Sequence, residues 1–315
     1  MPRTIITKFW VFVILAAVFT ATNTACSFEQ SPNFPAKNSS YGAVSIIGTV
    51  ADGAITESSG VVASRCNKDI LWTHNDSGDD AFIFAMHING AKAGTWKLPN
   101  AQNFDWEDIA TTKDNDGKCY LYIGEIGDNS RKRESYAIYK IREPDVTSGD
   151  ASSSKSDPRT TEAPETLRFT YPDGGHNAET LMVHPTSGDI YIVTKRVSGP
   201  SAVYKLKGDF RRDAATTAEK IADISFPAIP NGFVTGGDIS FDGTRVAICD
   251  YSAVYELVLP TISAKFDAIW SSPIETIDVG SRAVGEAISY TADGNSLILT
   301  SEGKNKPILV VSRKQ

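Results

Sequence analysis

The sequence repeats one pattern five times, and this repetition constrains the fold more than any other feature. In each copy an acidic residue at the end of a loop precedes a short apolar strand, a turn and a second strand rich in β-branched and aromatic residues. A third strand of the same kind follows in every copy. The acids that begin the five copies are Glu57, Glu107, Glu179, Asp238 and Glu286. Helical periodicity is nearly absent, so the pattern predicts an all-β chain built from repeated antiparallel sheets.

The spacing of the copies predicts a five-bladed β-propeller. The acids are roughly 50 to 70 residues apart, which suits four-stranded blades, and a fourth strand follows the third in the first four copies. The fifth copy lacks a fourth strand because the chain stops. We expect the N-terminal strand that begins at Ala43 to complete the C-terminal blade and close the ring. Residues 43–315 therefore form one propeller domain.

The longest interval between copies contains an insertion at residues 142–165. It is composed of Ser, Thr, Pro and charged residues without apolar periodicity, which predicts a disordered loop between the third and fourth strands of blade two. Cys66 and Cys119 occupy corresponding turns in adjacent blades, so a disulfide between them is geometrically plausible. Cys249 lies in an apolar strand and is expected to be a buried, unreactive side chain.

The N-terminus predicts export. Residues 1–25 combine a basic start, a short apolar stretch and small residues before a cleavage site, which is typical of a signal peptide and too short for a membrane span. Cys26 follows the cleavage site and is a candidate for lipidation; simple secretion is the alternative. Residues 26–42 are predicted to be a polar tether. We therefore expect a protein that is secreted or anchored by lipid to the cell envelope, without a transmembrane segment.

The net charge limits the class of partner. The chain carries a formal charge of -7, which repels phosphate backbones at long range and argues against nucleic acid as a partner. We expect a monomer that binds a small anionic substrate or a surface ligand.

The repeated acids predict a metal site in the central channel. Carboxylates that converge on one axis need a positive charge between them, and oxygen ligands without His or Cys suit Ca²⁺. The predicted ligands, one from each blade, are Ser59, Glu107, Glu179, Asp238 and Glu286. The alternative is that each acid only accepts hydrogen bonds from backbone N–H groups of its own loop.

The sequence resembles the calcium-activated nucleotidases, or apyrases, in the order and register of its motifs. The resemblance extends over most of residues 44–312, and its motifs are ESSGV, HNDSGDD, FDWEDIA, YIGEIGD, NAETL, VTKRVS, GGDISF and GEAISY. It implies a five-bladed propeller that holds Ca²⁺ on the axis, with Ser59 at the hydroxyl ligand of that family. Asp238 stands where the family has a hydroxyl. Several of these motifs also resemble a group of uncharacterised bacterial secreted propellers, which is the nearer kinship that we expect.

The resemblance and the loop positions together nominate residues for substrate chemistry. Asp76 matches an acidic position of the nucleotidase family, and Asp128 stands where the family has a Lys. If the site is catalytic, one of three acids on the open face accepts a proton: Asp76, Glu125 or Asp128. The predicted substrate-binding residues are His74, His176, Lys195 and Arg196, of which the last two match a basic pair of the family.

Two functions from different classes remain open at this stage. The first is a Ca²⁺-dependent exported hydrolase that acts on a phosphorylated or other anionic substrate. The second is a non-catalytic propeller that binds a glycan, a peptide or an envelope partner, with Ca²⁺ as a structural plug.

Overall fold

The computed structural model describes residues 40–211, 214–280, 282 and 284–314. The predicted signal peptide, Cys26 and most of the predicted tether lie outside these residues. The strands are, in chain order, β1 (Tyr41–Thr49), β2 (Ser58–Ala63), β3 (Ile70–Asn75), β4 (Phe82–His87), β5 (Lys92–Lys97), β6 (Trp106–Lys113), β7 (Cys119–Glu125), β8 (Tyr136–Arg142), β9 (Arg159–Thr160), β10 (Glu165–Thr170), β11 (Ala178–Val183), β12 (Ile190–Thr194), β13 (Ser201–Leu206), β14 (Thr216–Thr217), β15 (Glu219–Ile224), β16 (Gly236–Ile239), β17 (Arg245–Cys249), β18 (Ala253–Val258), β19 (Ile274–Asp278), β20 (Gly285–Tyr290), β21 (Ser296–Ser301) and β22 (Pro307–Arg313). Two short 3-10 helices span Ser148–Ser152 and Phe266–Ser271.

The strands form five sheets, which confirms the predicted five-bladed propeller. Blades one to five begin with β2, β6, β11, β16 and β20, and in each blade the next strands pair antiparallel to these. Each first strand contacts the first strands of both neighbouring blades, so the ring is closed around a central hub. The apolar side chains pack in five clusters of buried residues, which supply the hydrophobic stabilisation of the ring.

The N-terminal strand completes the C-terminal blade. Strand β1 pairs antiparallel with β22, with Val44 opposite Val311 and Ile46 opposite Leu309. The strand begins at Tyr41, two residues before the predicted start of the domain. This pairing covers the outer edge that β22 would otherwise expose.

A buried carboxylate holds the closing blade against its neighbour. Glu256 on β18 is fully buried, and it accepts hydrogen bonds from Tyr41 Oη at 2.6 Å, Tyr290 Oη at 2.8 Å and Arg313 Nη1 at 2.8 Å. Arg245 Nη1 lies 3.7 Å from the same carboxylate. The first and last strands of the propeller are therefore both tied to blade four by one side chain.

The insertion at residues 142–165 is not the disordered loop that its composition predicts. It contains the helix Ser148–Ser152, and β9 pairs parallel with β5 as a fifth strand on blade one. Asp150 holds the segment together by accepting hydrogen bonds from Thr147 N at 2.8 Å and from Arg159 Nε at 2.7 Å. Polar composition excludes a core of its own, but a polar segment can still add to the edge of an existing sheet.

The cysteines differ in their environment. Cys66 and Cys119 are joined in a disulfide with a Cα–Cα distance of 6.0 Å, which links blade one to blade two. Cys249 is a free thiol and is fully buried, and burial raises its pKa to about 11. A thiol with such a pKa is a poor nucleophile at neutral pH. Within the described part of the chain, no helix has the length and apolar character that a membrane crossing requires.

Candidate functional site

The first strands of the blades place one residue each at an equivalent position near one end of the hub. Strand pairing defines this position. In every blade, the next residue along the first strand pairs with the penultimate residue of the second strand. The equivalent residues are Ser59, Glu107, Glu179, Gly236 and Glu286. In all blades except the fourth the register shifts at this position, which is the signature of a β-bulge. We call these five residues the hub ring.

Blade four differs from the predicted pattern, because the residue at its ring position is Gly236, whereas the predicted ligand is Asp238. A Cβ atom at Gly236 would lie 2.6 Å from the carbonyl oxygen of Glu286, so a side chain does not fit there. Asp238 lies two residues further along β16. Its carboxylate accepts hydrogen bonds from Ile239 N at 2.8 Å and from Tyr290 N at 2.9 Å. Asp238 therefore ties blade four to blade five.

A second buried acid has the same kind of role. Asp108 follows the ring residue of blade two, and its carboxylate accepts hydrogen bonds from the backbone of Ile109 and, at 3.0 Å, of Leu181 in blade three. Arg65 from blade one is attracted to Asp238, and its guanidinium lies 4.5 Å from the centre of the Phe241 ring in blade four. Asp108 and Asp238 thus accept backbone hydrogen bonds from their own strand and from the neighbouring blade.

One half of the hub ring has its own cation. Lys195 Nζ donates to Glu179 Oε2 at 2.7 Å and to Tyr251 Oη at 3.2 Å. It also lies over the rings of Phe233 and Tyr251, at 4.7 and 5.0 Å from their centres. Burial acts to lower the pKa of Lys195, but the charges of Glu179 and Glu286 outweigh it and raise the pKa. The ammonium group therefore stays charged and compensates this side of the ring.

The other half of the hub contains three carboxylates that face one another. Oxygen atoms of Asp76, Asp105 and Glu107 lie within 4.8 Å of one another. Within the described residues, no Lys or Arg forms an ion pair with these three acids. The side-chain oxygens of Asp105 and Glu107 also accept no hydrogen bond there. We call these three residues the acidic cluster; it uses only one member of the predicted ring set.

The local chain holds the acidic cluster in place. Glu125 accepts hydrogen bonds from Phe104 N at 2.8 Å and Asp105 N at 3.1 Å, and this fixes the loop that carries Asp105. Gly127 passes directly beside the cluster. A Cβ atom at this residue would lie 2.2 Å from Glu107 Oε1 and 2.4 Å from Asp105 Oδ2. Glycine at 127 is therefore required for the two carboxylates to occupy these positions.

Crowding of the carboxylates shifts their pKa values. Burial, followed by the charges of Asp76 and Glu125, raises the pKa of Asp105 to about 6. Burial, followed by the charge of Glu179, raises the pKa of Glu107 well above its ordinary value. An ionised acidic cluster therefore needs a cation. Three converging oxygen ligands with solvent access on Asp76 suit a hard divalent cation such as Ca²⁺, which takes further oxygen ligands from water.

Two of the three predicted proton acceptors are engaged in loop structure. Glu125 forms an ion pair with Arg133 at 2.6 Å in addition to its backbone contacts. Asp128 accepts hydrogen bonds from Arg133 N at 2.8 Å and from Tyr136 Oη at 2.9 Å. Burial acts to raise the pKa of Asp128, but these bonds lower it overall. Only Asp76, among the predicted proton acceptors, lies in the acidic cluster.

The predicted histidines lie outside the acidic cluster. His74 is fully buried, packs edge-on against Trp106, and has its pKa lowered by burial. His176 Nε2 lies 3.0 Å from Asp173 Oδ1 and 2.9 Å from Tyr204 Oη, and its ring packs against Tyr171 and Tyr204, which lie next to or on strands of blades two and three. The His74 side chain is fully enclosed by protein, and the His176 imidazole is engaged by Asp173 and Tyr204.

A pocket of about 570 Å³ lies beside the hub ring. It is lined by Asn129, Arg131, Asn177, Lys195, Val197, Phe233 and Tyr251. Lys195 reaches both this pocket and Glu179, so it connects the pocket to the hub ring. Arg196 does not line the pocket; its backbone N–H donates to Gly232 O at 2.7 Å. The pocket combines two cationic groups, two amides and two aromatic rings, which suits an anionic ligand with an apolar or planar part.

Several residues of this site are absent from the sequence prediction. Asp105 precedes the ring residue Glu107 by two positions, and the doubled acid in FDWEDIA is the signal that could have indicated it. Arg131 and Tyr251 lie in loops that join the second and third strands of blades two and four, and Phe233 lies in the loop before β16. No periodic signal marks these three residues, so only the folded loops bring them together.

The raised pKa values predict how stability depends on pH when no divalent cation is bound. Burial and the charge of Glu179 raise the pKa of Glu286 from 4.5 to about 8. A carboxyl group with a raised pKa in the folded state binds more protons when folded, so its contribution is full below pH 4.5 and is lost as the pH rises to about 8. We expect the free energy of unfolding in EDTA to fall over this interval, and less so in Glu286→Gln. Urea unfolding at several pH values measures this. If the free energy of unfolding of the native protein and of Glu286→Gln had the same pH dependence, this would contradict the assignment of the raised pKa to Glu286.

Comparisons with known proteins give no family for this chain. No protein family matches the sequence, and no curated protein matches it. The structure of a nidogen/laminin complex has a TM-score of 0.43 and 14% sequence identity, with 78% of this chain and 73% of that chain covered. A gluconolactonase from Xanthomonas campestris has a TM-score of 0.44 and 11% identity, with 86% and 89% covered. The structure of U3-55K has a TM-score of 0.41 and 9% identity, with 86% and 98% covered. Similarity at this level carries no information about the activity of this chain.

Proposed function

We propose that this protein is an exported, Ca²⁺-dependent hydrolase of a small anionic substrate. The observation that carries the proposal is the acidic cluster, which forms no ion pair with a Lys or Arg among the described residues, together with a pocket that contains two cationic side chains. Three carboxylates supply the ligands for Ca²⁺, and the pocket supplies positive charge for the substrate. The two sets share the hub ring, since Lys195 contacts Glu179 and the charge of Glu179 acts on Glu107.

In such a reaction, different residues of the chain would hold the cation, bind the substrate and accept a proton. Asp76, Asp105 and Glu107 would hold the cation, which polarises a substrate oxygen or a water molecule when bound. Lys195 and Arg131 would bind the anionic group of the substrate and offset charge that develops on the leaving group. Asp76 is partly exposed to solvent and is the proposed proton acceptor.

Export is part of the same proposal. The signal peptide predicted at residues 1–25 and the Cys66–Cys119 disulfide both suit an oxidising compartment outside the cytoplasm. Lipidation at Cys26 would retain the protein at the cell envelope, and a chain without lipid would be secreted. The protein is proposed to act as a monomer.

Hydrolysis assays test the proposal. Nucleoside di- and triphosphates, phytate and arabinan are incubated with the purified protein in Ca²⁺ or in EDTA. We expect turnover of an anionic substrate in Ca²⁺ only, and Asp105→Asn should reduce it to the EDTA level. Asp116→Asn is the matched control, because Asp116 is exposed in a turn between the first two strands of blade two. Absence of turnover with every substrate, despite Ca²⁺ binding, would contradict a hydrolase.

One observation favours a second candidate function. Two of the three predicted proton acceptors, Glu125 and Asp128, are engaged in loop contacts that leave them no role in proton transfer. In this alternative, Ca²⁺ only stabilises the loops at the open face, and the pocket binds a glycan, a peptide or an envelope partner. Such a propeller would need no proton acceptor. Ligand binding without turnover would support this alternative.

A further inference from the structure

We propose that the hub has two cation positions and that the ammonium group of Lys195 permanently fills the second one, between Glu179 and Glu286. The first position is the acidic cluster, and its occupation by Ca²⁺ rests on the proposed function. The second position does not depend on that function. According to this proposal the native chain binds one divalent cation at the hub, away from the axis, because a tethered cation already compensates the opposite side.

The distribution of contacts around the hub ring supports two separate positions. Glu107 lies with Asp76 and Asp105 on the side of blades one and two. Glu179 and Glu286 act instead on Lys195, and the distance from Lys195 Nζ to Glu179 Oε2 is 2.7 Å. Blade four contributes Gly236 to the ring and therefore offers no side-chain ligand between Glu179 and Glu286. These two acids would share any cation that entered from this side.

An unpartnered buried oxygen shows that the second position can still accept ligation. Glu286 is almost fully buried, and its Oε2 has no hydrogen-bond partner among the described residues. Such an oxygen is costly to bury in the ionised state. Among the described residues, Lys195 is the cation whose charge acts on both Glu179 and Glu286.

The surroundings of the second position select an ammonium group. Lys195 Nζ is bounded by Tyr251 Oη at 3.2 Å and by the faces of Phe233 and Tyr251. Aromatic faces attract a cation through their quadrupole but do not coordinate a hard metal ion. If the ammonium group is removed, the carboxylate oxygens of Glu179 and Glu286 remain as ligands of the type that Ca²⁺ accepts, and water can complete the coordination.

The stoichiometry of Ca²⁺ binding tests this inference. Isothermal titration and metal analysis after equilibrium dialysis are carried out at pH 9, where Glu286 is ionised. We expect one Ca²⁺ per native chain and two per chain of Lys195→Met. The double variant Lys195→Met/Glu286→Gln should return to one. Arg196→Met, which removes the neighbouring positive charge, is the matched control and should bind one.

The outcomes separate this inference from the proposed function. A folded Lys195→Met chain that binds no more Ca²⁺ than the native chain overturns the inference. Zero Ca²⁺ in the native chain and one in Lys195→Met would remove the proposed function and support the inference. Glu286→Gln in the native background provides a further test that does not require Lys195→Met to fold. It should leave one bound Ca²⁺, and loss of that ion would overturn the inference because Glu286 would then ligate the native site.

Discussion

Glu107→Gln should abolish the increase in melting temperature that Ca²⁺ produces in the native protein. Glu107 is the buried member of the acidic cluster, and Gln keeps its shape while removing the charge that attracts the cation. An ion that binds only the folded state stabilises it by about 2.7 kcal/mol when its concentration is 100 times Kd. The variant should lose this gain. Thermal unfolding in increasing Ca²⁺, followed by circular dichroism, measures the effect.

The same substitution should raise the melting temperature in EDTA. Without a cation, the buried carboxyl of Glu107 is close to the charges of Glu179, Asp76 and Asp105, and an amide removes this repulsion. A fall in stability in EDTA together with loss of the Ca²⁺ response would indicate a damaged fold instead of a lost ligand. Asp116→Asn should behave like the native protein in both conditions. A full Ca²⁺ response in Glu107→Gln would contradict the assignment of the ligands.

Glu256→Ala should destabilise the propeller by about 3–5 kcal/mol, the range found when one partner of a buried ion pair is removed. The substitution removes the hydrogen bonds that Glu256 accepts from Arg313 and from the hydroxyl groups of Tyr41 and Tyr290. These groups lie on the strands of the closing blade, so the lost hydrogen bonds are those at the point where the ring closes. Urea unfolding measures the free energy.

A surface ion pair provides the control for this prediction. Asp223 and Lys220 lie 2.8 Å apart on an exposed edge of blade three. Such pairs contribute about 0–1 kcal/mol, so Asp223→Asn should have little effect. Equal effects of Glu256→Ala and Asp223→Asn would show that the buried carboxylate does not hold the closing blade in place.

The repeated pattern predicts the architecture because each blade needs the same alternation of buried strands. It also identifies the ring residues in the first, second, third and fifth blades, where Ser59, Glu107, Glu179 and Glu286 are at equivalent positions. It differs from the structure in blade four. There the acid of GGDISF comes two residues after the ring position, and a strand repeats its side-chain direction every two residues. Spacing alone therefore could not distinguish Gly236 from Asp238.

The sequence could not predict which group pairs with or donates a hydrogen bond to each acid. The metal prediction assigns all the acids of the ring to one ion, but Lys195 compensates Glu179, and backbone N–H groups donate to Asp238. Lys195 comes from the loop that follows the second strand of blade three, and its choice of partner depends on three-dimensional packing. The order of the insertion also depends on three-dimensional packing, because β9 pairs with the edge strand β5 of another blade.

Anomalous diffraction from a crystal of the protein grown with Ca²⁺ tests the central claim most directly. We expect one peak at the hub, about 2.3–2.6 Å from carboxylate oxygens of Asp76, Asp105 and Glu107. The ammonium group of Lys195 should remain bound to Glu179. A peak on the axis between Glu179 and Glu286, or no peak at the three acids, would contradict the claim.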